Sequence, residues 1–146
     1  MELGLVIYTD GACHVTTKIG GIGVVFTKEN KLINTYSKQF TNVTNNQMEL
    51  LAVIIALQSF LKNDLGKEVT IVTDRQYVIG CATKGWKRKK NIKLWARFDK
   101  IKKELESKEI NLIFKWVHGH DGDEFNEKAD KLAVQASQEF ELVPLK

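Results

Sequence analysis

The sequence is poor in the residues that usually break up, staple or anchor a chain. It has one proline, Pro144, and neither a low-complexity tract nor an internal repeat, so nothing marks a linker. Residues 1–146 therefore read as one domain, large enough to bury a core with its 43% hydrophobic and 27% charged side chains. Two cysteines, Cys13 and Cys81, follow no metal-ligand spacing and are too few for a disulfide scaffold. That suits a reducing cytoplasm, with a single disulfide left open. The longest apolar run, Leu50 to Leu57, is far too short to span a bilayer, and Met1 to Gly4 carries no basic leader segment. The expectation is a cytoplasmic, unexported monomer with no membrane partner.

Net charge is also modest, at +4, and by itself says little about partners. Its distribution says more. Residues 84–103 hold ten of the 22 basic side chains (Lys84, Lys87, Arg88, Lys89, Lys90, Lys93, Arg97, Lys100, Lys102 and Lys103) against one acid, Asp99. The remainder is net acidic, so a polyanion partner and a merely solvated lysine-rich helix face fit the charge equally well.

Hydrophobic periodicity supplies the elements. Leu3–Thr9, Gly20–Phe26 and Leu32–Phe40 read as three strands of an antiparallel meander. Thr44-Asn45-Asn46-Gln47 has the form of a capping box and opens a helix to about Leu61. Val69–Thr73 is a fourth strand, followed by a short helix from Asp74 to about Thr83. Leu94, Phe98, Ile101 and Leu105 recur at helical spacing across the basic region, Ile110–Val117 is a fifth strand, and Phe125, Ala129, Leu132 and Ala136 stripe a last helix. The class is α/β, with helices packed on a mixed sheet.

Four carboxylates stand out on these elements. Asp10 is expected to end the first strand and Asp74 the fourth, where side chains can converge on a crevice; a cap or turn aspartate has the same sequence appearance. Glu49 shares its helix side with Val53, Ala56 and Phe60, and no Lys or Arg follows at i+3 or i+4. Burying an unpaired carboxylate costs several kcal/mol, so a cation, with a metal ion the foremost candidate, is expected opposite it; a helix-dipole position at the rim of the core is the other option. Asp130 flanks the last helix's stripe and is by itself an ordinary surface aspartate.

Taken together, Tyr8-Thr9-Asp10-Gly11, Thr44 to Leu50, Thr73 to Val78, Trp116-Val117-His118-Gly119-His120 and Asn126 to Ala133 resemble ribonuclease H type 1 in order and spacing over nearly the whole chain. The resemblance implies a ribonuclease H-like fold: a five-stranded mixed sheet, three strands antiparallel and two parallel, with helices on both faces. It implies an endoribonuclease that cuts the RNA strand of RNA–DNA hybrids and leaves 5′-phosphate and 3′-hydroxyl ends. Asp10, Glu49, Asp74 and Asp130 match the acids that bind two Mg²⁺, or Mn²⁺, ions; hard cations want oxygen ligands, and no Cys/His cluster competes for a softer metal. His120 matches a histidine associated in the family with proton transfer or product release. A histidine in a glycine-flanked loop is also commonly just solvated.

Asn45, Asn46 and Gln76 match RNA-strand contacts, and neutral donors and acceptors of this kind read a 2′-hydroxyl across a shallow minor groove. Thr44 and Asn91 match DNA-phosphate contacts, while Trp86 among Lys87 to Lys90 is a stacking candidate on the DNA side or a plain core residue. Helix capping would equally place Thr44, Asn45 and Asn46 where they stand. The sequence departs from the family pattern in four places. His14 to Lys18 replaces an Asn-Pro-Gly turn, Asn42 stands where arginine is frequent, and Arg75 takes the place of a serine. The stretch from Val78 to Leu94 is also too short for a protruding basic helix. A transposase- or resolvase-like DNA nuclease, a non-catalytic hybrid-binding module and a retroelement-derived nuclease domain remain alternatives.

Overall fold

Apolar runs rich in β-branched residues in the first third of the chain build three adjacent strands in a computed structural model that describes residues 4–118 and 123–138. β1 (Leu5–Cys13), β2 (Ile19–Lys28) and β3 (Lys31–Thr41) form the antiparallel meander. The chain then crosses through α1 (Asn45–Lys62), so that β4 (Glu68–Thr73) lies parallel to β1. After α2 (Gln76–Thr83) and α3 (Ile92–Ser107), β5 (Asn111–Trp116) lies parallel to β4. Crossovers of this kind are what parallel neighbours require. The sheet order is β3-β2-β1-β4-β5, and α4 (Glu124–Gln138) follows it. The expected class, strand count and mix of directions are all present.

α1 begins where its capping box places it. Thr44 Oγ1 accepts from the Gln47 amide at 3.2 Å, and Gln47 Oε1 accepts from the Thr44 amide at 3.0 Å. The helix is apolar on nearly all sides, burying Met48, Leu50, Leu51, Val53, Ile54, Leu57 and Phe60, because the sheet covers one side and α3 the other. Each of these large side chains contributes about 1.5–3 kcal/mol by leaving water. α3 turns Trp95, Phe98, Ile101 and Leu105 onto this core, with Leu94 only partly covered.

Which helix lies on which face is readable at the glycines. A Cβ on Gly20 would meet Met48 of α1, whereas one on its neighbour Gly21, or on Gly23, would meet the backbone of α4. Successive strand residues point to opposite faces, so α1 and α4 cover opposite sides of the sheet. This also shifts the buried stripe of α4. Instead of Phe125, Ala129, Leu132 and Ala136, the buried set is Asn126, Ala129, Ala133, Ala136 and Ser137, with Phe125 and Leu132 half-buried. Small side chains seat the helix against the glycines of β2, and the larger ones are left to its flanks.

β1 is longer than its apolar run. Its last parallel pair with β4 is Tyr8↔Val72, but it remains paired with β2 out to Cys13↔Gly20. Asp10 is thus inside β1, beyond the end of β4, rather than at the strand's end. Among the described residues no helix is long and apolar enough to cross a membrane.

Candidate metal centre and nucleic-acid interface

Continuing the parallel register past Tyr8↔Val72 sets Asp10 level with Asp74, the residue that follows β4. α1 supplies the third acid from above. Gly11 lets the helix come down on β1, since a Cβ there would lie 2.5 Å from the Glu49 amide nitrogen. One carboxylate oxygen each from Asp10, Glu49 and Asp74 then falls within 4.8 Å of the others. From α4, on the opposite face, the Asp130 carboxyl reaches that of Asp10. Three of the four acids singled out in the sequence therefore meet, and Asp130 stands beside Asp10.

Two of them are nearly sealed from water, Asp10 at 4% and Glu49 at 1% exposure. Burial, then the Glu49 and Asp74 charges, pushes the Asp10 carboxyl up to about 11, and a proton kept there is shared toward Glu49 and Asp130. Burial raises Glu49 to about 7, the bond from Asp10 and the charge of Arg75 opposing it. Like charges packed this closely in a poor dielectric must take up a proton or a cation. Glu49 Oε1 is buried with no hydrogen-bond partner. An all-oxygen donor set with one orphaned carboxylate oxygen fits a hard divalent ion.

One cation is already supplied by the chain, and the sequence spacing did not reveal it. Arg75 Nε donates to Glu49 Oε2 at 3.0 Å, across 26 positions of sequence. No i+3 or i+4 rule detects such a pair, because it depends on the β4–α2 turn reaching the first turns of α1. The sequence did flag Arg75, as a departure from the family's serine.

The residues matched to substrate contacts lie at the starts of α1 and α2 and in the segment between α2 and α3. Thr44 and Asn46 are exposed and Asn45 half-buried at the start of α1, while Gln76 is exposed at the start of α2. Asn91 precedes α3 in the left-handed region, at φ 61°, and its Nδ2 donates to the Tyr77 hydroxyl, which also accepts from Trp95 Nε1, both at 3.1 Å. Asn91 is therefore a brace between α2 and α3 whatever else it touches. The Trp86 ring lies on Gly80, where no Cβ would fit, yet stays 46% exposed. It is neither a plain core residue nor a free one. With Gln76, Ile79, Lys84 and Trp116 it borders a recess of about 150 Å³. His120 lies outside the described residues.

The basic segment is pinned by one of its own arginines. Arg88 donates to the Asp99 carboxylate at 2.7 Å and to the Cys81 carbonyl at 3.1 Å, and its guanidinium lies 4.4 Å from the Trp95 ring centre. This fastens the loop between α2 and α3 to α3 and leaves Lys84, Lys87, Lys89 and Lys90 exposed to solvent.

A mixed five-stranded sheet with a carboxylate cluster at the end of its parallel pair defines an α/β domain with an acidic site able to hold a metal ion. The RNase H family model matches residues 3–138. Ribonuclease H of Trichodesmium erythraeum is 37% identical over 147 aligned residues, covering 94% of this chain and 91% of that protein. Ribonuclease H of Ruthia magnifica is 38% identical, covering 88% and 92%. The crystal structure of RNase H1 from Halobacterium salinarum superposes with a TM-score of 0.78 at 22% identity, covering 94% of this chain and 99% of the other. That of LC11-RNase H1 in complex with RNA/DNA hybrid superposes with a TM-score of 0.77 at 28% identity, covering 93% and 98%. The chain belongs to the RNase H family.

Proposed function

We propose that this chain is an endoribonuclease that hydrolyses the RNA strand of RNA–DNA hybrids. The observation that carries the reading is the convergence of Asp10, Glu49 and Asp74 within 4.8 Å, the first two buried and the third half-buried, in a chain similar to an RNase H1 solved with a hybrid. Asp10, Glu49 and Asp74, with Asp130 beside Asp10, would hold two Mg²⁺ ions, with Mn²⁺ an alternative. Ions held there would supply Lewis acidity to an attacking water and to the departing 3′ oxygen, consistent with 5′-phosphate and 3′-hydroxyl ends.

The chain's own part is to aim these acids and to position the hybrid. Strands β1 and β4 fix the two aspartates, so little reorganisation is needed when a phosphodiester arrives. Asn45, Asn46 and Gln76 present neutral donors and acceptors around the cluster, suited to reading 2′-hydroxyls. Thr44, Asn91, Trp86 and the lysines of residues 84–90 make the DNA-strand side, the lysines meeting phosphates and the half-exposed indole stacking. His120 would assist proton transfer or product release.

The test is Mg²⁺-dependent cleavage of an RNA–DNA hybrid and of duplex DNA by the wild type and by Asp10→Asn. Hybrid-selective cleavage that Asp10→Asn abolishes is expected. Equal cleavage of duplex DNA would move the reading to a DNA nuclease, and full activity in Asp10→Asn would remove the metal centre from it.

A further inference from the structure

Arg75 is placed by something other than the helix it precedes. It occupies the N-cap of α2, a position that favours a short hydroxyl or carboxylate side chain, and it makes no side-chain cap bond there. A hydrogen bond from its amide to Thr73 Oγ1, at 3.1 Å, fixes its backbone directly after Asp74. From that point the side chain crosses to α1 and donates through Nε to Glu49 Oε2 at 3.0 Å. The two partners differ sharply in exposure, with the Arg75 side chain at 43% and that of Glu49 at 1%. The pair therefore closes the boundary between the core and solvent, covering one oxygen of Glu49 while the other, Oε1, is buried without a partner.

That same carboxylate belongs to the group able to hold a metal ion. A guanidinium on Oε2 and a divalent ion at the cluster draw on one negative charge, and at this distance two cations repel through a medium far less screening than water. An incoming ion must either accept Glu49 through Oε1 alone or part it from Arg75. Parting is cheap on the arginine's side, because the half-exposed guanidinium returns to water. In the first case the retained guanidinium charge opposes the ion, and in the second the free energy of ion binding is reduced by what the ion pair had already contributed.

Resting on the metal-centre reading above, we propose that Arg75 is a resident competitor for Glu49, a positioning residue that weakens divalent-ion binding by the nucleic-acid-free protein. It keeps the buried carboxylate paired when no ion is present and makes occupancy of the centre dependent on ion concentration.

The experiment is Mn²⁺ titration of the nucleic-acid-free protein, by calorimetry and by electron paramagnetic resonance. It compares the wild type with Arg75→Ser, Arg75→Gln, Arg75→Lys and Asp10→Asn at several pH values from neutral to alkaline, so that proton uptake by Glu49 is separated from ion binding. Arg75→Ser and Arg75→Gln are expected to bind at least about tenfold more tightly, and Arg75→Lys, which keeps the charge, close to the wild type. Without metal, Arg75→Ser and Arg75→Gln should melt lower than the wild type and gain more from Mn²⁺. Unchanged or weaker Mn²⁺ binding by Arg75→Gln overturns the proposal, and so decides the matter even if Arg75→Ser does not fold. If Asp10→Asn binds Mn²⁺ as the wild type does, the metal centre itself fails, and the proposal falls with it.

Discussion

Gly11 and Glu49 touch through their backbones: a Cβ on the glycine would lie 2.5 Å from the glutamate's amide nitrogen and equally close to the carbonyl carbon of Met48. Neither atom can give way without moving α1. Gly11→Ala is therefore expected to cost about 1–3 kcal/mol of stability, as overpacking does, and to draw Glu49 away from Asp10. Urea denaturation should register the first effect. Hybrid cleavage should fall by more than the lost stability explains. A variant as stable and as active as the wild type would mean that α1 slides freely on β1.

Protons and metal ions compete for the same acids, which fixes the sign of a pH effect. A carboxyl whose folded pKa lies above its unfolded value binds its proton more tightly in the folded protein. Folding is then favoured at low pH and penalised as pH rises from the unfolded value through the folded one. Glu49 spans 4.5 to about 7, and Asp10 spans 3.8 to about 11. In EDTA the melting temperature should fall as pH climbs from about 5 to 9. Mg²⁺ or Mn²⁺ should restore more at pH 8 than at pH 5, and Asp10→Asn should flatten the slope. A melting temperature independent of pH in EDTA would contradict this.

Asp130 should prove the least demanding of the four acids. It is half-buried and reaches the cluster through the Asp10 carboxyl, whereas the other three present oxygens to one another. Asp130→Asn is expected to retain more activity than Asp10→Asn and to raise the half-saturating metal concentration by about 10-fold, in the range of changes next to a metal ligand. Equal losses in the two variants would place Asp130 on a par with the central three.

Grip on the DNA strand should be electrostatic and sensitive to salt, because it rests on the exposed Lys84, Lys87, Lys89 and Lys90. The KM for hybrid is expected to rise steeply with salt. In Lys89→Gln/Lys90→Gln the slope of log KM against log salt should lessen by roughly one for each phosphate no longer neutralised, with kcat little changed. Hybrid cleavage that barely changes from low to moderate salt would count against this grip. Arg88 is not part of it, being committed to Asp99, Cys81 and Trp95.

What the sequence conveyed was local. The Thr44–Gln47 capping box, the apolar strand runs and the apolar side of α1 follow from neighbours within a few residues, and all three are present. Glu49 on an apolar helix side was a legible anomaly. Its arginine partner was not, because that pairing needs the β1–β4 register as well as the turn after Thr73. The length of β1 was underestimated for a related reason: polar Asp10 and small Gly11 break the apolar run, and pairing with β2 carries the strand on regardless. The α4 stripe was misjudged because the glycines that receive it lie on another strand. Asp130 could be assigned only through the family resemblance.

The opposite placement of α1 and α4 makes the Asp10 carboxyl a joint between two halves of the core. Glu49 arrives on one helical layer and Asp130 on the other, so the cluster is complete only while both layers are docked. Catalytic competence thus reports on both sides of the molecule at once. Under gradual denaturation it should be lost while most helical and strand content persists.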